Sequence, residues 1–326
     1  MTPQEHPQPV DLRAVRTVPL VDRANKVSQA RLAQPARPGR SLAEVLRAWP
    51  RLLAAESFHA VVQSIVEAVR HHRPVIAGIG GHVIKCGLGP LLIDLIDRGV
   101  VTAVAMNGAA AIHDCEMALI GGTSEDVAAG LGDGSFGMAR ETGEFMNAAV
   151  RPTANQAERG MGRLLGERLR ALDGARLDLS VLGSAAARDV PVTVHVALGA
   201  DIVHMHPSAD GAAIGRATLY DFRLLAGIVS GLSGGVYLNL GSAVLLPEVF
   251  LKAFNIAQNL GAGLHDFVTV NMDMQAHYRP AKNVLERPAG VGGRAYHLIG
   301  HHEIMIPLLA HAVVDALESS HDAEDR

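Results

Sequence analysis

The sequence has little of the chemistry that cross-links small secreted domains. Only two cysteines, Cys86 and Cys115, occur among 326 residues, which gives neither a disulfide framework nor a thiolate zinc site. Aromatic residues make up only 4% of the chain, whereas apolar residues make up 48%. Aliphatic side chains must therefore fill the core, which a chain of this length can make substantial.

Basic runs and long apolar runs are also absent. The formal net charge is −4, and without basic clusters the composition argues against nucleic acid as the main partner. The first residues, MTPQEHPQPVDLR, form no apolar signal region, and no uncharged apolar run of about 18 residues follows. We therefore expect a soluble cytoplasmic protein without a membrane partner.

The first 40 residues lack hydrophobic periodicity and are rich in Pro, Arg and Gln. They predict an extended arm over residues 1–40, either disordered alone or wrapped over a neighbouring subunit. Ser41 and Glu44 have the spacing of a capping box, which predicts a helix start, and Pro50 predicts an interruption of that helix. A second helix is predicted over FHAVVQSIVEAVRHH.

From Pro74 onward, short apolar runs alternate with helical patterns. The strand candidates are PVIAGI, VTAVAM, VPVTVHVA, GGVYLNLG and DFVTVNM. Helical segments between such strands predict an α/β, Rossmann-like fold, with a mostly parallel sheet covered by helices on both faces. No internal repeat or Pro/Ser-rich linker divides the body, so residues 41–326 are predicted to form a single domain of the nucleotide-binding type.

A glycine-rich turn follows the first strand candidate. It contains Gly80, Gly81 and His82, with Lys85 shortly after. Glycines let the backbone approach a phosphate, and a helix N-terminus supplies free N–H groups; an ordinary tight turn would have the same sequence. Lys85 is either a desolvated, imine-forming amine or a point charge for a phosphate.

The second strand candidate ends in the small-residue loop Asn107, Gly108 and Ala109. Such a loop suits a ribose or a nicotinamide. His113 and Asp114 follow it as an ionisable pair, which either takes part in acid/base chemistry or caps the adjacent helix.

Histidines gather after the third strand candidate and near the C-terminus. In an extended segment, His204 and His206 would point the same way, and with Asp210 they could hold a metal, contact a substrate or serve structure alone. The C-terminal candidates for acid/base chemistry are His301, His302 and Glu303.

Several stretches resemble the deoxyhypusine synthase family over about residues 41–313. They are PVTVHVALGADIVHMHP, ATLYDFR, VYLNLGSAVLLPEVFLKAFNIAQNLG, DFVTVNMD, HYRPAKNV and HLIGHHEIMIPLLA. The resemblance implies the fold of that family and NAD as the cofactor, with Asp201 and Asn271 near it. It also implies a homo-oligomer, a tetramer or dimer with active sites between subunits.

The sequence departs from the family where the catalytic residues lie. Residues 241–248 lack the family's glycine triplet and histidine pair, and residues 284–288 lack its tryptophan and nucleophilic lysine. Lys282 stands near the place of an acidic residue that holds a polyamine, and a lysine repels a cationic substrate. Deoxyhypusine synthesis itself is therefore not expected.

Together with the observed departures, the resemblance implies a homo-oligomeric, NAD-dependent, transferase-like enzyme that acts on an amine or amino-acid-type small molecule. The reaction would be group transfer or elimination through transient oxidation. The predicted cofactor-binding residues are Gly80, Gly81, His82, Asn107, Gly108, Ala109, Asp201 and Asn271. The predicted catalytic residues are Lys85, His113, Asp114, His204, His206, Asp210, His301, His302 and Glu303. The alternatives are a metal-dependent hydrolase or lyase that uses the histidine clusters, and a non-catalytic nucleotide-binding relative.

Overall fold

The computed structural model describes residues 8–154 and 159–324. The strands are β1 (Val75–Ile79), β2 (Ala103–Asn107), β3 (Val192–His195), β4 (Val236–Leu240), β5 (Val268–Asp273) and β6 (Arg294–Ile299). The α-helices are α1 (Leu42–Arg47), α2 (Leu53–Arg70), α3 (Gly81–Lys85), α4 (Gly89–Asp97), α5 (Gly108–Ile120), α6 (Val127–Leu131), α7 (Arg140–Val150), α8 (Met161–Arg170), α9 (Val181–Ala187), α10 (Gly211–Ser230), α11 (Leu245–Asn259), α12 (Tyr278–Pro280), α13 (Arg287–Ala289) and α14 (His302–Glu324). A π-helical segment, Ala281–Glu286, joins α12 to α13.

The strands form one sheet in the order β3-β2-β1-β4-β5-β6, and every neighbouring pair is parallel. This is the strand order of the doubly wound dinucleotide-binding fold. The predicted α/β fold class is confirmed, and the sheet is entirely parallel. Each of the five strand candidates overlaps one of the first five strands, with β2 and β5 ending one residue beyond their candidates, and β6 adds an edge strand.

Helices cover both faces of the sheet because its central strands are apolar on both sides. On one face, the ring of Tyr237 from β4 stacks on Phe250 of α11, with ring centroids 3.8 Å apart. On the other face, a second buried cluster joins Ile79, Leu165 and Leu298 to α2 and α14. Continuous apolar strands of this kind are typical of a sheet buried on both sides.

The predicted helix start at Ser41 is confirmed. The Ser41 hydroxyl accepts a hydrogen bond from the backbone N–H of Glu44, and the Glu44 carboxylate accepts one from the N–H of Ser41. Helix α1 ends before Pro50, and α2 begins at Leu53, as the proline predicts.

The described part of the arm, residues 8–40, contains short 3₁₀ turns and is almost entirely exposed. Arg31 ties it to the body through an ion pair with Glu56, 2.6 Å long. Residues 1–7 lie outside the described part of the chain. That the arm wraps over a neighbouring subunit stays a prediction.

Candidate functional site

The carboxyl ends of β1 and β4 meet at the point where the strand order reverses. Ligands of open α/β sheets collect at this switch point. Here the two backbones nearly touch, because a Cβ built on Gly80 would lie 2.1 Å from the carbonyl oxygen of Gly241. Gly241 itself has a φ of +64°, a conformation that side chains other than glycine's rarely adopt. The crossing therefore depends on both glycines.

A cavity of about 150 Å³ opens at the carboxyl ends of β1, β2 and β3, between α3, α5 and the loops that follow β3 and α5. We call it the central pocket. It brings together predicted site residues from three separate segments, namely Lys85, Ala109, His113 and Asp201. Lys85 is exposed at the end of α3, so the apolar enclosure that would desolvate its amine is absent. It remains available as a point charge.

Asp201 lies at the N-terminus of α5. Its carboxylate fills the space where Gly108 would carry a side chain, since a Cβ there would lie 2.1 Å from Oδ2. The backbone N–H of Ala197 donates to Oδ2 at 3.2 Å. Burial raises the pKa of Asp201 above its usual value, while the positive end of a helix favours an anion there. Asp201 is thus a built-in hydrogen-bond acceptor on the wall of the pocket.

His113 is held by a chain of polar side chains that sequence reasoning did not connect. Its Nδ1 lies 2.7 Å from the hydroxyl oxygen of Thr123, and that hydroxyl donates to the carboxylate of Glu116. The hydroxyl of Thr142 donates to the other Glu116 oxygen at 3.1 Å. Burial by itself would raise the pKa of Glu116, but the nearby His113 ring and the hydroxyl groups of Thr123 and Thr142 outweigh it and lower the pKa.

A second cavity of about 490 Å³ adjoins the central pocket, and we call it the outer cavity. The two cavities share Glu116, Ser124 and Glu125 as lining residues. Glu141 adds a further carboxylate, and the described residues place no lysine or arginine in its lining. The ionisable side chains of the lining are therefore acidic, and one of them, Glu141, pairs with the neighbouring Arg140 at 2.9 Å.

A histidine cluster lies on the other side of the switch point. His302 is almost fully buried at the start of α14, and its Nε2 lies 2.8 Å from where Gly241 would carry a Cβ. The rings of His82 and His302 have centroids 5.3 Å apart. Burial lowers the pKa of His302, and the nearby Asp273 partly offsets this effect. Asp273 also lies 4.0 Å from Nε2 of His277.

His301 and Glu303 are exposed at the start of α14, with Nδ1 of His301 3.8 Å from Oε1 of Glu303. Sequence reasoning missed Asp273 and His277, although Asp273 is the last residue of β5, and a polar residue at a strand end is a signal that could have identified it.

Other predicted site residues perform structural tasks. Asp114 is completely buried, and its carboxylate accepts hydrogen bonds from the Ser180 hydroxyl and the backbone N–H groups of Val181 and Leu182. Burial raises the pKa of Asp114 to about 6. The carboxylate joins α5 to the start of α9, away from both cavities, so Asp114 is not a candidate for the reacting group.

Two more predicted residues cap helices. The side-chain oxygen of Asn107 accepts from the N–H of Ala110 at 2.8 Å, and Asp210 accepts from Ala212 and Ala213 at the start of α10. Both arrangements are N-caps. For Asn107 the cap is compatible with a neighbouring ligand, since it lies at the carboxyl end of β2.

Three more predicted cofactor-binding residues, Asn271, Gly81 and Ala109, contribute to packing. Asn271 is fully buried in β5 and accepts a hydrogen bond from Asn239 of β4 at 2.7 Å, so it does not reach the edge of the sheet. Gly81 lies against Ala109, because a Cβ on Gly81 would be 3.0 Å from the Ala109 methyl carbon. Their small size lets α3 approach α5.

His204 and His206 do not form a pair. Residues Ile202–Met205 form a 3₁₀ helix instead of the expected extended segment, so the two rings point in different directions. Nε2 of His206 lies 2.8 Å from the carbonyl oxygen of Gly137, while both nitrogens of His204 are buried without a partner. Among the residues that the structure describes, no three His, Cys, Asp or Glu side chains are arranged to hold a metal ion.

None of the helices in the described ranges is long and apolar enough to span a membrane. The sequence matches no protein-family model and no curated protein sequence.

Solved structures do resemble this fold. The unliganded enzyme AgrE has 15% sequence identity and a TM-score of 0.53, over 82% of this chain and 34% of the AgrE chain. The ternary complex of AgrE with ornithine and NAD⁺ has 14% identity and a TM-score of 0.51, over 87% of this chain and 34% of the AgrE chain. A candidate deoxyhypusine synthase from Entamoeba histolytica has 11% identity and a TM-score of 0.48, over 85% of this chain and 94% of the synthase chain. The chain spans about a third of the length of the AgrE chains, and at these identities the likeness shows the fold that they share.

Proposed function

We propose that this chain is an NAD-dependent enzyme that acts on an amine or an amino-acid-type small molecule. The observation that carries the proposal is the grouping of Lys85, His113 and Asp201 around one pocket at the carboxyl ends of β1, β2 and β3 in a dinucleotide-type sheet. The AgrE structure that shares this fold contains NAD⁺ and ornithine, which supports both the cofactor and the class of substrate.

The residues at this edge fit NAD in part. The exposed side chains of His82 and Lys85, which follow the buried Gly80–Gly81 turn, suit a diphosphate, because both can donate hydrogen bonds to its oxygens. The Asp201 carboxylate suits the hydroxyl groups of a ribose. A bound NAD would supply a hydride acceptor that later returns the hydride. Asn271 does not fit this role, since it is buried beneath the edge.

The acidic outer cavity supports an amine as the second ligand. Carboxylates of Glu116, Glu125 and Glu141 line it, of which Glu141 pairs with the neighbouring Arg140, and a cleft lined by carboxylates concentrates ligands of the opposite sign. His113, which lies between the two cavities, would take a proton from the substrate. We propose group transfer or elimination through transient oxidation, and not deoxyhypusine synthesis, because residues 284–288 lack the family's lysine.

We also propose that the enzyme is a homo-oligomer, either a tetramer or a dimer. The exposed apolar side chains of Val244, Tyr278, Ile299 and Ile304 lie along the carboxyl edge of the second half of the sheet. Apolar side chains grouped in this way are typical of subunit contacts. Light scattering of the purified full chain measures the assembly directly, and a monomer would contradict this proposal.

Titration calorimetry of the full chain with NAD⁺ tests the cofactor. We expect micromolar affinity, and we expect Lys85→Gln and Asp201→Asn each to weaken binding about tenfold, which corresponds to about 1.4 kcal/mol. Lys252→Gln is the matched control, since Lys252 pairs with Glu248 on the surface of α11. No binding by the wild-type chain would overturn the cofactor assignment. Binding without any NADH absorbance in a screen of amines and amino acids would favour the non-catalytic alternative.

A further inference from the structure

The hydrogen-bond chain at His113 fixes the position of its protons. Glu116 is ionised, because the hydrogen bonds around it lower its pKa, and an ionised carboxylate can only accept hydrogen bonds. Thr123 therefore donates its single hydroxyl proton to Glu116. The same oxygen, 2.7 Å from His113 Nδ1, then has only a lone pair to offer.

This arrangement requires a proton on Nδ1 of His113. A neutral imidazole carries one proton, and the hydrogen bond that one nitrogen makes determines the state of the other. Nε2 is consequently left with a free lone pair. The ring lines the central pocket, and its Cδ2, next to Nε2, lies 3.2 Å from where Gly81 would carry a Cβ. The described residues give Nε2 no hydrogen-bond partner.

We infer that Glu116 and Thr123 are positioning residues that hold His113 as the Nδ1–H tautomer, so that Nε2 can accept a proton from a ligand in the central pocket. The functional part of this inference rests on the proposed function. When Nε2 accepts an N–H or O–H proton, the ring becomes an imidazolium. Oε2 of Glu116, 3.7 Å from Nδ1, stabilises that positive charge, and Thr123 keeps its own proton.

A purely structural role of Glu116 and Thr123 can be distinguished from a positioning role. Glu116 connects α5 to the segment after it and, through Thr142, to α7, so its removal could alter stability alone. A change in stability does not report which nitrogen of His113 is protonated. The tautomer of His113 can be measured directly, without substrate or cofactor.

Long-range ¹H–¹⁵N correlation of ¹⁵N-histidine-labelled full chain at about pH 8.5, where an ordinary histidine is neutral, reads the tautomer. His113→Gln identifies the signals of His113. We expect a protonated Nδ1 and an unprotonated Nε2 in the wild type and in Thr123→Ser, and a reversal in the double variant Glu116→Leu/Thr123→Val, which lacks both acceptors near Nδ1. Thr142→Val is the matched control, because it removes a hydroxyl from Glu116 without touching His113.

An Nε2–H tautomer in the wild type would overturn the inference, as would an unchanged pattern in the double variant. If the double variant does not fold, the wild type and Thr123→Ser still decide the tautomer. Diethyl pyrocarbonate, which acylates unprotonated imidazole nitrogens, provides a second measurement. We expect peptide mass analysis to show several-fold slower acylation of His113 in the double variant. Failure of NAD⁺ binding with the expected tautomer would remove the proposed cofactor and leave the positioning intact.

Discussion

The carboxylate of Asp201 occupies the space in which any residue but glycine at position 108 would place its Cβ. That Cβ would lie 2.1 Å from Oδ2 and 2.6 Å from Oδ1 of Asp201. The glycine therefore allows an anionic side chain from one loop to reach the N-terminus of α5.

Gly108→Ala should displace Asp201 from the central pocket. If Asp201 contacts the ribose, we expect the affinity for NAD⁺ to fall about tenfold, as in Asp201→Asn, and we expect the double variant to be no weaker than either single one. Titration calorimetry measures this loss. Gly132→Ala is the control, because the space around Gly132 is open. Unchanged affinity in Gly108→Ala would remove Asp201 from the cofactor site.

Gly80→Ala should be strongly destabilising. Its new methyl group would meet the carbonyl oxygen of Gly241, and backbone atoms at the centre of a sheet cannot move aside cheaply. We expect a loss of about 3 kcal/mol in the free energy of unfolding in urea. Gly215→Ala in α10, where a Cβ meets nothing within 4 Å, should instead stabilise the chain by about 0.5–1 kcal/mol. Similar effects for the two variants would contradict the close crossing of β1 and β4.

Asp114→Ala should lower stability without affecting NAD⁺ binding directly. The substitution leaves the Ser180 hydroxyl and two backbone N–H groups without their acceptor, and buried donors without partners cost about 1–3 kcal/mol each. We expect a loss of about 3 kcal/mol in urea unfolding and unchanged NAD⁺ affinity at a temperature where the variant is folded. Weaker binding at unchanged stability would place Asp114 in the site.

Asp221 should make stability depend on pH. Burial raises its pKa in the folded chain to about 7, although the backbone N–H groups of Val194 and Gly162 donate to it. The unfolded chain has a value near 3.8, so the folded state holds this proton more tightly. The resulting stabilisation is complete below about pH 4 and is lost as the pH rises to about 7. Its upper limit is about 4 kcal/mol.

Urea unfolding between pH 4 and 8 measures this dependence. Asp221→Asn cannot titrate, so we expect its stability to fall less steeply than that of the wild type over this range. Parallel pH profiles for the two proteins would show that Asp221 stays ionised in the folded state. In that case the two N–H donors would outweigh the burial of the carboxylate.

The sequence predicted the sheet better than the site. Continuous apolar runs such as VIAGI and VTVNM have a local cause, burial on both faces, and their strands lie where expected. His204 and His206 were misplaced because a short 3₁₀ helix has no strong local signature. The contacts of Glu116 with Thr123 and Thr142 depend on how α5, a loop and α7 pack, which residue spacing does not encode.

The strand order also bears on the kinetics of folding. The chain completes β1, β2 and β3 as one half of the sheet before it makes β4, β5 and β6, and the two halves pair along β1 and β4, from Val75 with Val236 to Ile79 with Leu240. Pairings between residues so distant in sequence form slowly, so this seam should close late. A ligand bound at this seam would contact both halves of the sheet. It would slow unfolding, because it would slow the separation of the two halves.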